Sequence, residues 1–184
     1  MRLFVALVPP ASALDALEAD VARARERVPH LRWTPRSRWH LTLAFYGEVP
    51  DRLLGDLSAR VTRAAARHDP LALALQGAGR FGSRVLWVGV RGDVTGAARL
   101  AASCAASGRR AGLPVEDRPY RPHLTVARAG DRRPGAGAVD LRPAVEALGQ
   151  HAGPAWTASA VDLVRSRPGP QPSYETLLSA PLGG

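Results

Sequence analysis

Trp39-His40-Leu41-Thr42-Leu43-Ala44-Phe45-Tyr46-Gly47-Glu48 finds an echo far downstream in Arg121-Pro122-His123-Leu124-Thr125-Val126-Ala127-Arg128. Each segment sets a histidine and a threonine two residues apart, with aliphatic residues alternating between them. In a β-strand, residues i and i+2 share a face. His40 and Thr42 are thus predicted on one face, with Leu41, Leu43 and Phe45 turned to a core. His123 and Thr125 repeat the pattern, backed by Leu124 and Val126. If the two strands lie side by side, two imidazoles and two hydroxyls meet at one spot.

That quartet suits phosphorus chemistry. Two imidazoles can share the roles of general base and general acid near neutral pH, because an unperturbed histidine titrates there. Two hydroxyls can donate hydrogen bonds to the non-bridging oxygens of a phosphate. No serine or cysteine stands at an equivalent place to act as nucleophile, so direct in-line displacement is implied. A single His-x-Thr would more readily be read as a half-buried strand histidine. Two copies with the same bracketing, using two of only five histidines, outweigh that reading.

These segments resemble the paired His-x-Thr/Ser motifs of the 2H phosphoesterase superfamily. Within it, the chain is similar to the bacterial and archaeal RNA 2′,3′-cyclic phosphodiesterases, the LigT-type 2′-5′ RNA ligases. The likeness runs nearly end to end. Arg2-Leu3-Phe4-Val5-Ala6-Leu7 looks like the opening strand, and Phe81 with Arg84-Val85-Leu86-Trp87-Val88-Gly89-Val90 like the central one. Tyr174-Glu175 falls where the closing strand has a tyrosine. Tyr46 stands where a leucine is common and Gly82 where a proline is common; both departures bear on substrate preference rather than on the reaction.

Composition bounds the alternatives. The chain has 184 residues, 46% of them hydrophobic, enough for one well-buried domain or two small intimate lobes. No apolar run is long enough to span a bilayer. The stretch from Leu3 to Ala11 is interrupted by Pro9-Pro10 and reads as a first strand rather than a signal peptide. With Cys104 the only cysteine, no internal disulfide and no thiolate zinc site is encoded. Lysine, isoleucine and asparagine are all absent. Their codons are A/T-rich, so genomic base bias explains much of the arginine behind the net charge of +9. The charge is mild support for an anionic substrate. The missing lysine excludes a Walker lysine, a Schiff base and the lysine–AMP adduct of ATP-dependent ligases. The motif partners are threonines, poor zinc ligands, and no carboxylate cluster accompanies them, so neither metal nor cofactor is expected.

Hydrophobic periodicity predicts strands at 2–8, 39–47, 71–76, 84–90, 121–128, 156–165 and 173–180. Helices are predicted at 10–28, 51–68, 93–111 and 139–150, with a charged loop from Asp131 to Gly137 and a turn around Pro168-Gly169-Pro170. Periodicity alone supports a mixed α/β class. With the resemblance, the expected fold is α+β. Residues 1–184 would form a single bilobal domain of two pseudo-symmetric lobes, each a small, mostly antiparallel sheet with helices outside, and an active-site cleft between them.

The resemblance implies opening of an RNA 2′,3′-cyclic phosphate to a 2′-phosphate. His40 is assigned as the general acid and His123 as the general base, the mirror assignment staying open because the pseudo-symmetry leaves sequence nearly silent. Thr42, Thr125 and Arg128 would bind the phosphate. Strict alternation puts Arg128 on the face opposite His123, so that role requires a bend or bulge at the strand end. If the same bend recurs in the first motif, Phe45, at the matching offset, faces the cleft and stacks on a base; if not, it is a core residue. His30, His68 and His151 read as helix-end histidines. Tyr120 and Arg121 read equally as cleft mouth or edge packing. The expected partner is RNA with a 2′,3′-cyclic phosphate end, for a cytoplasmic monomer without membrane contact or obligate protein partner. Rival readings are a phosphodiesterase for a small cyclic ester and a noncatalytic RNA-end binder; the intact pair of proton-transfer groups argues against the second.

Overall fold

A computed structural model of the chain describes residues 1–117, 119–130, 139–169 and 172–183. The Asp131–Gly137 loop and Pro170 of the expected turn lie outside the described residues. Strand β1 (Arg2–Leu7) buries Leu3, Val5 and Leu7 in the main core. Pro9-Pro10 ends it, and Pro10 leads into α1 (Ala11–Arg27), whose stripe of Ala13, Leu17, Val21 and Ala24 is buried. A two-residue strand that periodicity cannot register, β2 (Arg32–Trp33), follows. The first motif occupies β3 (Leu41–Glu48), with His40 one residue before it. A 3-10 turn at Asp51–Leu53 opens into α2 (Leu54–Ala65).

The central hairpin is β4 (Leu71–Phe81) and β5 (Val85–Gly92). Gly82 sits in its turn at φ +55°. A proline, locked near φ −65°, has no access to that conformation, so the departure from the family pattern is a matter of turn geometry. Helix α3 (Val94–Arg110) is capped by Asp93, whose carboxylate accepts from the Gly96 N–H at 2.7 Å. The second motif forms β6 (His123–Arg128), followed by α4 (Arg142–Leu148). The segment expected as one closing strand is two, β7 (Trp156–Ala158) and β8 (Ala160–Arg167), before β9 (Ser173–Pro181).

Among the described residues, nine strands run in the order β7-β4-β5-β6-β3-β1-β8-β9, with β2 added to β6. All pairings are antiparallel. One residue pair, Leu41 with Leu124, joins β3 to β6. The sheet therefore divides there into two lobes, β3-β1-β8-β9 and β7-β4-β5-β6-β2. The lobes are not the two halves of the sequence. Helix α1 follows a first-lobe strand but packs against α4 and β4 of the second, whereas α3 follows β5 and packs on β3 of the first. The chain crosses between lobes repeatedly, because β8 and β9 return to close the sheet begun by β1.

Tyr46 shows how α3 is seated. It is buried toward the helix, and its hydroxyl donates to the Cys104 carbonyl at 2.9 Å. A side chain at Gly108 would meet the Tyr46 ring at 2.6 Å, so the glycine permits the close approach of helix to strand. The departure at Tyr46 is thus a packing feature on the face away from the cleft. The tyrosine expected to bear on substrate preference packs against α3 instead of facing the cleft.

Candidate active site

The two motif strands cross at Leu41 and Leu124, both fully buried. Continuing that antiparallel register sets His40 beside Thr125 and Thr42 beside His123, which brings the quartet to the junction of the lobes. The two imidazoles are close enough for the charge of one to depress the protonation of the other.

Each histidine is held in the same way. His40 Nδ1 donates to the Arg38 carbonyl at 2.8 Å, and His123 Nδ1 donates to the Arg121 carbonyl at 2.6 Å. This contact fixes the tautomer: with Nδ1 carrying hydrogen, Nε2 is the nitrogen that gains and loses the working proton. His40 Nε2 lies 3.0 Å from Thr42 Oγ1. In the neutral ring the threonine hydroxyl donates to Nε2; in the protonated ring Nε2–H donates to the oxygen and the hydroxyl hydrogen is released for another acceptor. Sequence reasoning missed the two carbonyls. A backbone acceptor leaves no mark in residue identity.

The surroundings of the two rings differ. His40 stacks on Phe4 at 4.7 Å between centroids and meets the edge of Tyr174 at 5.3 Å. Burial there lowers its pKa below the ordinary histidine value. The Arg38 carbonyl partly counters this, and the charges of His123 and Arg38 add to the lowering. His123 lies against Phe81 at 4.8 Å and Trp87 at 6.3 Å. The Trp87 indole rests across Gly79, where any Cβ would collide with it. That glycine gives the ring its bed beside His123.

Matching bulges shape the far ends of both motifs. Along β3, Ala6 pairs with Thr42 and Val5 with Ala44, leaving Leu43 as the extra residue. Along β6, Trp87 pairs with Thr125 and Leu86 with Ala127, leaving Val126 extra. Each bulge puts two consecutive side chains into the core and inverts the alternation beyond it. Phe45 and Arg128 are both exposed as a result, turned to the face that carries the histidines. Phe45 is 44% exposed, with the Arg2 guanidinium 4.9 Å above its ring. The core alternative for Phe45 is therefore excluded. Because β3 and β6 are antiparallel, Phe45 and Arg128 stand on opposite sides of the crossing.

The remaining candidates resolve plainly. His68 bonds Ser103 Oγ at 2.9 Å. His151 is not a surface helix-end residue: it is buried, and its Nδ1 lies 2.6 Å from Asp20 of α1. Tyr120 packs against the core, and burial raises its pKa. Burial also pushes the Cys104 thiol up to about 12, so it is an inert core residue. Among the described residues, no group of three or more His, Cys, Asp or Glu side chains is placed to hold a metal ion, and no helix is long and apolar enough to cross a membrane.

A family model described as the 2′-5′ RNA ligase superfamily matches residues 9–170. The chain belongs to that superfamily. A Geobacillus stearothermophilus protein named RNA 2′,3′-cyclic phosphodiesterase is 28% identical over 185 residues, covering 98% of this chain and 57% of that protein. A Thermus thermophilus protein of the same name is 33% identical over 144 residues, covering 70% of this chain and 68% of that protein. The chain thus spans little more than half the length of the first of these relatives. Among solved structures, TT0787 of Thermus thermophilus superposes with a TM-score of 0.79 at 30% identity, covering 100% of this chain and 99% of that one. Escherichia coli LigT without ligand gives 0.74 at 25% identity, covering 100% and 98%. The chain shares the α+β two-lobe architecture of these solved structures.

Proposed function

We propose that the protein hydrolyses RNA 2′,3′-cyclic phosphate ends to 2′-phosphates by metal-independent acid–base catalysis. The observation that carries this reading is the duplicated His-x-Thr strand, with both imidazoles anchored through Nδ1 at the lobe junction. The names of the relatives support the activity, though not its mechanism.

In the proposed step His123 takes a proton from water, the water oxygen attacks phosphorus, the bond to the 3′-oxygen breaks, and His40 protonates that oxygen. Thr42, Thr125 and Arg128 stabilise charge on the phosphoryl oxygens. The His40–Thr42 contact supports a coupled role. Protonated His40 occupies the threonine oxygen and frees its hydroxyl hydrogen for the phosphate. With an RNA 5′-hydroxyl in place of water, the same bond breaks and a 2′-5′ linkage forms, energised by the cyclic ester. The deciding experiment is a product assay on an oligonucleotide ending in a 2′,3′-cyclic phosphate. A 2′-phosphate formed undiminished in EDTA is expected. A 3′-phosphate, or turnover restored only by a divalent ion, overturns the reading.

The lowered pKa of His40 gives a signed pH test. One imidazole must be protonated and the other neutral, so the profile is bell-shaped and its two limbs belong to the pair. In the free enzyme at least one limb, read from kcat/KM, is expected below the ordinary histidine range near ~6.5. A bound phosphodiester anion favours the imidazolium, so the limbs of kcat are expected at higher pH. Two kcat/KM limbs both at or above the ordinary histidine range would show that the His40 imidazole is not depressed.

The two bulge-turned residues separate in function. Arg128→Ala is expected to lower turnover on every cyclic phosphate, because the phosphate is common to all. Phe45→Ala is expected to raise KM, more for purine ends, by loss of stacking worth roughly 1–3 kcal/mol. Its exposure makes the stability change small, within about 0.5 kcal/mol. Steady-state kinetics on purine- and pyrimidine-ended substrates check both. A KM change in Phe45→Ala that is blind to the base removes it from base recognition.

A further inference from the structure

A groove of about 220 Å³ opens beside His40 in the first lobe, and His123 is not among the residues lining it. Phe4 and Val164 are among the residues lining it, with Arg38, Asp162, Tyr174 and Thr176. Tyr174 is 37% exposed although it touches two aromatic rings, so part of its face is open to a ligand. The Arg38 guanidinium lies over one face of the Tyr174 ring, 5.9 Å from its centroid. It forms no ion pair with any described carboxylate, and its Nε is buried without a hydrogen-bond partner. Asp162 shares the groove without forming a hydrogen bond to a described side chain. A cation with no ion pair to a described carboxylate, a partly exposed aromatic ring and a carboxylate acceptor thus stand together next to the reacting imidazole, and the proposed reaction at the cyclic phosphate employs none of these side chains.

We infer that this groove is a second nucleotide subsite, holding the penultimate ribonucleotide of the RNA end. The inference rests on the function proposed above, in which the terminal base lies against Phe45. Arg38 pairs with the phosphodiester that joins the last two nucleotides. Its own carbonyl holds His40, so its side chain is anchored two residues from the reacting imidazole. Tyr174 stacks on the penultimate base, a contact open to any base because each has a π face. Asp162 accepts a hydrogen bond from the penultimate ribose 2′-hydroxyl, the group by which a protein tells RNA from DNA. The terminal ribose offers no such donor, since its 2′-oxygen is esterified in the cyclic phosphate. The substrate class is then an RNA of at least two nucleotides, and an isolated nucleoside 2′,3′-cyclic phosphate fills only half the site.

The test compares kcat/KM for a nucleoside 2′,3′-cyclic phosphate with that for the dinucleotide bearing the same end, in wild type and in Tyr174→Leu, Arg38→Gln and Asp162→Asn. Wild type is expected to prefer the dinucleotide, and Tyr174→Leu and Arg38→Gln each to reduce that preference by about tenfold, within the range of one base-stacking or charged contact. Asp162→Asn is expected to narrow the discrimination against a dinucleotide whose 5′ residue is 2′-deoxy. Equal loss on both substrates in Tyr174→Leu and Arg38→Gln would mean that these residues act through packing and charge on His40, and would overturn the subsite. So would a wild-type enzyme indifferent to the second nucleotide. No turnover of any cyclic phosphate by wild type would instead sink the proposed function itself, an outcome distinct from both.

Discussion

His40→Ala and His123→Ala are each expected to reduce kcat on a cyclic-phosphate oligonucleotide by roughly 10²–10⁴, the usual cost of removing a positioned general acid or base. The fold is expected to survive both. His123 is half-buried, and His40 lies on the concave face, outside the main core. Thermal melts should confirm folded protein before rates are read. The double variant is expected to lose little beyond the worse single one, because the two imidazoles serve one transition state and residues acting as a unit are far from additive. Near-full activity in either single variant would end the two-histidine mechanism. Multiplicative losses in the double would point to two groups acting in separate steps.

The strand pattern that made this site legible is local, and so are its limits. His40, Thr42, His123 and Thr125 announce themselves because period-two alternation needs no knowledge of the partner strand. The bulges at Leu43 and Val126 are invisible for the converse reason. A bulge is an extra residue relative to a neighbour, and the neighbours, β1 and β5, are distant in sequence. Strict alternation accordingly put Arg128 on the wrong face and left Phe45 suspended between core and cleft. The same distance hid Asp20 behind His151 and Tyr174 beside His40. The α+β class and the paired motif strands were readable. The membership of each lobe was not, since β8 and β9 rejoin β1 only after the second lobe has been built. Arg38 carried a faint mark, for an arginine stands two residues before the histidine in both motifs. Its value appears only once the groove shows that no described carboxylate neutralises it.

The largest stability effect is expected where the lobes meet. Leu124→Ala removes a fully buried side chain between His123 and Thr125, at the one backbone pair joining β3 to β6. A Leu→Ala change at such a site costs about 2–5 kcal/mol, the upper part of the range applying where surroundings cannot collapse into the void. Collapse is restricted here, because each strand is pinned by its own lobe on the far side, β3 by β1 and β6 by β5. Leu41→Ala, its partner across the junction, is expected to cost a similar amount. The two should not add. Residues in contact share a cavity, so the double variant is expected to deviate from the sum by about 0.5–3 kcal/mol. Denaturant titration of wild type, both singles and the double measures this directly. Losses below about 1 kcal/mol, or additivity within ~0.5 kcal/mol, would show that the lobes are held together elsewhere, through the helices that cross between them rather than through the leucine pair. Below the unfolding transition, Leu124→Ala should also lower kcat more than a truncation of equal stability cost remote from the junction, such as Leu17→Ala in α1. The register at Leu41 and Leu124 is what places each histidine beside the other strand's threonine.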